Sequence, residues 1–261
     1  MAGEFAGKIV VVSGGSRGIG RAIAEAFARE GAQTIIAAAS ADNLVKAVES
    51  IAKIGPKPLT VAGYLRTLEA CQQVFSTVRD RFGRCDILVN NAGATRAGNF
   101  VDLPDDAWSD GFALKFFACV RLSRAFWPML KEAHGHVVNI IGGAARTPSS
   151  EFLIGGSVNS AMANFSKGLS TLGKRDDVNV NVIHPGMTET DRIITLWRQT
   201  SAATGRTFDE VRAETVAKAG VRGITQPADV AELALFLCSE RARQIQGVAV
   251  AVDGGGTPGL Y

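Results

Sequence analysis

Nothing in the chain approaches the roughly 18 consecutive apolar residues that a membrane span requires, so no membrane association is expected. Runs of one charge are missing as well. The 28 Lys and Arg are scattered among 25 Asp and Glu, and no cationic stripe exists to track a phosphate backbone, which argues against a nucleic-acid partner. Cysteine is sparse: Cys71, Cys85, Cys119 and Cys238 form no CxxC pair, and His134, His136 and His184 have no ligand spacing with them or with one another. No metal site is expected, and the cysteines read as reduced thiols packed in a core. Residues 1–8 contain no long apolar segment, so a cytoplasmic location is expected. Tyrosine is scarcest of all, with only Tyr64 and Tyr261.

What is present is an ordinary globular balance, 46% apolar and 20% charged, which argues against disorder or a fibrous repeat. Short β-branched runs at 8–12, 34–38, 58–62, 87–89, 136–141, 178–183 and 248–252 alternate with helical periods at 18–30, 41–54, 67–82, 105–130 and 227–237. That alternation predicts an α/β fold, a doubly wound parallel sheet of about seven strands with helices on both faces, in one Rossmann domain over 1–261. Ligands of such sheets sit beyond the carboxyl ends of the strands. His134 and His136 precede their strand and so fall at the opposite edge.

Directly after the first run comes Ser13-Gly14-Gly15-Ser16-Arg17-Gly18-Ile19-Gly20, leading into a helical period. Glycines in this spacing permit a tight turn, close approach of backbone to a pyrophosphate, and tight helix packing, while the helix N-terminus offers N–H groups to an anion. Three further landmarks follow strand runs: Asn90-Asn91-Ala92-Gly93, Pro185-Gly186 and Val252-Asp253-Gly254-Gly255. In order and spacing these four resemble the short-chain dehydrogenase/reductase family from residue 8 to 255. The resemblance implies a nicotinamide dinucleotide held by Gly14, Ser16, Arg17, Gly18, Ile19, Gly20, Asn90, Ala92 and Gly93, with Pro185, Gly186 and Thr188 facing the nicotinamide. An acid at the end of the second strand would select NAD, but the stretch is Ala37-Ala38-Ala39-Ser40. Arg17 and Ser40 therefore favour NADP, with NAD as the other possibility. The family's Asp-Val pair after the third strand is replaced by Gly63-Tyr64.

The resemblance also implies a catalytic Asn, Ser, Tyr and Lys. A phenol titrating near 10 needs a neighbouring cation before it can exchange protons near neutrality. Counting from Trp108, Phe165-Ser166-Lys167 and Pro185-Gly186 places Lys115 at the Asn position, Gly142 at the Ser, Gly155 at the Tyr and Asn159 at the Lys. No shift of register restores the tyrosine, because the chain has only Tyr64 and Tyr261. The apparent exchange of Lys and Asn predicts that Lys115 brings a cation or a proton into the same pocket, with Asn159 keeping neutral hydrogen bonds to the ribose. His184, at a productive strand end, is a further candidate acid, and Tyr261 a weaker one. The segment 186–225 is expected to build the substrate pocket. Phe100, Phe152, Leu153, Ile193 and Trp197 predict apolar walls, and Arg96, Arg146 and Arg192 are available to an anionic group.

Three functions stay open at this point: an oxidoreductase with a rebuilt proton pathway acting on a small, largely apolar molecule, a nucleotide-binding homologue without turnover, and a non-redox enzyme reusing the pocket. By resemblance, the long helices at 105–130 and 150–172 and the last helix and strand would pair copies into a homodimer or homotetramer.

Overall fold

The computed structural model describes residues 3–258. Seven strands form one sheet in the order β3-β2-β1-β4-β5-β6-β7, and every neighbouring pair is parallel. The strands are β1 (Ile9–Ser13), β2 (Gln33–Ala38), β3 (Leu59–Ala62), β4 (Ile87–Asn90), β5 (His136–Ile140), β6 (Asn179–Pro185) and β7 (Ala249–Val252). The helices are α1 (Gly18–Arg29), α2 (Ala41–Ile51), α3 (Leu68–Phe82), α4 (Asp105–Gly111), α5 (Ala118–Glu132), α6 (Leu153–Asp176), α7 (Asp191–Thr204), α8 (Phe208–Ala219) and α9 (Pro227–Leu237). The expected α/β fold with a doubly wound sheet is the one formed.

The sequence of β1, IVVVS, shows why the sheet is parallel and central. All five residues are buried, and alternate ones enter opposite layers. Val10 and Val12 pack with Ile23 and Phe27 of α1 and with Val230 and Ala234 of α9. Ile9 and Val11 pack with Val74 and Val78 of α3 and with Leu122 and Phe126 of α5. The four cysteines are buried free thiols, Cys119 among the side chains under α6. Burial pushes the Cys71 thiol up to about 11 and Cys119 up to about 12, so both stay protonated and unreactive at neutral pH.

Two elements depart from expectation. The helical period over 105–130 is interrupted by a π turn, Phe112–Phe117, between α4 and α5. The segment after Gly186 is largely helical, with α7 and α8 joined by edge-on stacking of Trp197 and Phe208, ring centroids 5.8 Å apart. The side chain of Thr207 and that of Glu210 cap α8 reciprocally. Trp197, expected in the pocket wall, is instead the buried contact between these two helices. Among the described residues no helix is long and apolar enough to cross a membrane, and no His, Cys, Asp and Glu converge as metal ligands.

Candidate active site

Strand order reverses between β1 and β4, and the crevice beyond their carboxyl ends is bounded by the glycine loop on one side and the Asn90–Gly93 turn on the other. Gly14 has φ +67°, and a Cβ there would lie 2.9 Å from the Ala92 backbone. At Gly20 a Cβ would lie 2.3 Å from the Gly14 carbonyl and from the Asn91 amide. The loop is therefore closed on itself, and glycine is required at both points. Ile19 packs into the core below the loop, and Ser16 is buried within it. No side chain caps the start of α1, so its backbone N–H groups remain open to an anion.

Ser13 and Asn91, neither of them singled out by the sequence, join the two rims. The Ser13 hydroxyl accepts from Asn91 N at 3.0 Å and from Ala92 N at 3.1 Å, and the Asn91 amide donates to the Ser13 and Gly14 carbonyls, each at 3.1 Å. Asn90, expected to line the cofactor site, turns inward instead. Its Nδ2 donates to Ser123 Oγ at 3.1 Å and Asn139 Oδ1 at 2.9 Å, while its buried Oδ1 finds no partner among the described residues. Asn139 continues the chain to Ser166 at 2.8 Å. Asn90 therefore supports the rim from below, and Gly93 is the exposed residue of this turn.

Lys115 lies on the π turn, which adds a residue to the helix and lets a position facing the crevice differ from the regular period. Its aliphatic stem crosses Gly93: a Cβ on Gly93 would lie 2.9 Å from Lys115 Cδ and 3.3 Å from Cε. Half-buried, Lys115 makes no hydrogen bond or ion pair among the described residues. Desolvation, with Arg192 nearby, brings its amine down to about 8. Asn159, buried on α6, accepts from Gly142 N through Oδ1 at 3.0 Å, and a Cβ on Gly142 would lie 3.1 Å from its Nδ2. Gly93 and Gly142 follow adjacent strands, so Lys115 and Asn159 are brought to neighbouring points of one edge.

Gly155, the expected tyrosine position, is covered by an aromatic ring. A Cβ there would lie 2.0 Å from Phe152 Cε1 and 2.1 Å from Cζ. His184 is buried at the end of β6, and its Nδ1 lies 2.7 Å from the Ile141 carbonyl. Because a carbonyl only accepts, Nδ1 carries the proton, and burial lowers the pKa of the ring. The Nδ1–H is thus a tie between β5 and β6, and the lowered pKa disfavours the second ring proton that the expected acid would have to hold.

Pro185 and Gly186 end β6, with Gly186 N donating to the Val252 carbonyl at 2.8 Å and a Cβ on Gly186 excluded by Asp253 at 2.6 Å. The buried Thr188 hydroxyl turns back to the Gly186 carbonyl at 3.0 Å. The residue that reaches the glycine loop is Thr190, whose methyl would lie 3.2 Å from a Cβ on Gly18. No local signal marks it, since the contact joins segments far apart in the chain. Arg146 donates to the Ala249 carbonyl at 3.1 Å and is thus tied to β7, while Phe100 is 60% exposed and forms no interior wall. At the adenine end Arg17 is exposed with no side-chain partner among the described residues. Ser40 caps α2, accepting from Asn43 N at 3.3 Å, and the exposed Tyr64 follows β3. Tyr261 lies outside the described residues.

A glycine-lined anion cradle, a parallel-sheet switch point and a crevice containing a lysine define a dinucleotide-binding protein of the Rossmann class. A family model described as enoyl-(acyl carrier protein) reductase matches residues 14–257. The 3-oxoacyl-[acyl-carrier-protein] reductase FabG of Escherichia coli (strain K12) is 33% identical over 258 residues, covering 97% of this chain and 98% of the relative. L-sorbose reductase from Gluconobacter frateurii, solved with NADPH and L-sorbose, superimposes with a TM-score of 0.95 at 33% identity over 100% of both chains. A short-chain dehydrogenase from Burkholderia cenocepacia J2315, solved with NADP, has a TM-score of 0.85 at 29% identity, covering 97% of this chain and 99% of the other. The chain belongs to the short-chain dehydrogenase/reductase family.

Proposed function

We propose that the protein is an NADP-linked oxidoreductase in which Lys115, rather than a tyrosine, provides the proton at the site of hydride transfer. The observation that carries this reading is the lysine stem laid across Gly93 at the rim of the crevice, with no partner among the described residues. The glycine cradle fits a dinucleotide pyrophosphate, and the relatives solved with NADPH or NADP support the phosphorylated form. In this reading Arg17 and Ser40 at the start of α2 meet the 2′-phosphate, where the sequence has no acid to repel it. When bound, the nicotinamide supplies or takes a hydride. The chain's own part is to hold the ring beside Pro185, Gly186 and Thr188, exclude water with Phe152 and neighbouring apolar side chains, and deliver a proton from the Lys115 ammonium to the substrate oxygen. An amine at about 8 is a stronger acid than an ordinary lysine, as proton transfer near neutrality requires. Asn159 and Gly142 supply neutral hydrogen-bonding groups beside it. The substrate is a small molecule, and association into a homodimer or homotetramer belongs to the same reading.

Fluorescence titration with NADPH and NADH tests the first half. Tighter binding of NADPH is expected, with the gap narrowed at least tenfold in Arg17→Ala, and binding of neither nucleotide contradicts the reading. For the second half, Lys115→Met is expected to retain NADPH binding while losing at least a hundredfold in NADPH oxidation across a panel of carbonyl compounds.

A further inference from the structure

At the amino edge of the sheet, away from the crevice, a cavity of about 430 Å³ opens between the start of β5, the turn before β1 and the segment after α9. Its walls include His136, which is 6% exposed and whose Nδ1 has no partner among the described residues. The other ring nitrogen meets the Leu237 carbonyl. Because a carbonyl only accepts, that nitrogen carries the proton, and Nδ1 is left as a bare lone pair. A buried acceptor of this kind is costly until a donor reaches it.

Around this acceptor the charges cancel. Lys8 lies 3.3 Å and Arg84 3.1 Å from Asp86, Arg241 lies 3.2 Å from Glu4, Arg243 pairs with Asp177, and Glu240 brings one further acid. Cations and carboxylates are thus equal in number, so an ion of either sign would lose to one neighbour what it gained from the next. A neutral occupant is favoured. Lys8 also keeps N–H groups beyond the one turned to Asp86, and the buried Phe5 and Ile87 supply apolar wall between the polar groups. The occupant must therefore donate to Nδ1, accept from Lys8 and lay C–H groups against Phe5. A hydroxyl can do either of the first two, and a short carbon skeleton bearing several hydroxyls does all three.

We propose that this cavity is a second small-molecule site that takes a neutral polyhydroxy compound, a sugar or sugar alcohol, with one hydroxyl donating to His136 Nδ1 and another accepting from Lys8. Its volume lies within the range of small-molecule sites. It is separate from the dinucleotide crevice, because His136 begins β5 while Gly142 lies past the other end of that strand. Occupancy here does not depend on the reaction proposed at Lys115.

Protein carrying nitrogen-15-labelled histidine and saturated with NADP⁺ is titrated with glycerol, xylitol, sorbitol and glucose, and with gluconate and glucosamine as charged counterparts. The chain has only three histidines, and the spectrum of His136→Phe assigns the one of interest. At least one neutral compound is expected to bind saturably, with a Kd below about 10 mM, and to move the His136 Nδ1 resonance as an accepted hydrogen bond requires. His136→Phe should weaken that compound at least tenfold and Lys8→Met at least threefold, with NADP⁺ affinity within twofold in both. Lys8 stands at the half-exposed rim, so its variant decides the matter if His136→Phe does not fold. The proposal is overturned by the absence of saturable binding, by an Nδ1 resonance unmoved at saturation, by tighter binding of gluconate or glucosamine, or by unchanged affinity in the folded variants.

Discussion

At Gly155 the backbone has no room for a side chain, because the Phe152 ring stands within 2.0 Å of where a Cβ would be. A methyl group there must displace the ring, and overpacking of this kind costs about 1–3 kcal/mol. Gly155→Ala should therefore lower stability by that amount in urea unfolding, and Phe152→Ala in the same chain should restore most of it. Additive losses in the double variant would show that the two positions are not coupled. A second residue-scale prediction concerns His136, buried at the opposite sheet edge with Nδ1 unpartnered and its ring brought down to about 4 by burial, Arg243 and Lys8. Between about 6.5 and 4 the unfolded chain takes up a proton that the folded chain refuses. Stability from this group is thus complete above about 6.5 and lost as pH falls toward 4, by about 3 kcal/mol in total. His136→Gln should lose correspondingly less between pH 7 and pH 4.5. The glycines at 142 and 155 were visible in the sequence, but Phe152 as occupant of the tyrosine's place was not, since only coordinates show which ring fills a gap.

Among the elements, β4 and β5 carry a polar chain through the apolar sheet, Ser123 to Asn90 to Asn139 to Ser166. Asn139→Ala removes the acceptor of the Asn90 amide and the donor to Ser166 together. A cost of about 1–3 kcal/mol is expected for each buried group left unpaired, read as a fall in Tm, with Ser123→Ala costing less. A Tm unchanged in Asn139→Ala would mean that Asn90 contributes nothing to the rim above it. This chain was not legible beforehand: Asn90 read as a cofactor ligand because its place in the Asn90-Asn91-Ala92-Gly93 turn says nothing about which way its amide points. The π turn was hidden for a related reason. Phe112, Phe116 and Phe117 keep an apolar period that a regular helix would also satisfy, so one inserted residue leaves no mark in the pattern. α8 has no clear apolar stripe, and the pairing of α7 with α8 through Trp197 and Phe208 joins residues on two separate elements.

For the whole molecule, the doubly wound parallel sheet and the edge at which function gathers were readable, because most crossovers are marked by a glycine or proline turn at a strand's carboxyl end, and these turns are local in sequence. What was not readable is how turns distant in the chain meet: Ser13 with Asn91, Gly18 with Thr190, Lys115 with Gly93. Those meetings convert a set of family landmarks into one crevice with a lysine at its rim. The proposed reaction requires that lysine to be the proton donor. The direct measurement is the pH dependence of NADPH oxidation, from pH 6 to 10, for the protein and for Lys115→Met with the best carbonyl substrate of a panel that includes oxo acids. The rate should fall about tenfold per pH unit above about 8, as the ammonium is lost. The variant should be slow at every pH while binding NADPH normally. A variant as fast as the parent, or a parent whose rate is flat through pH 8 to 10, would contradict it.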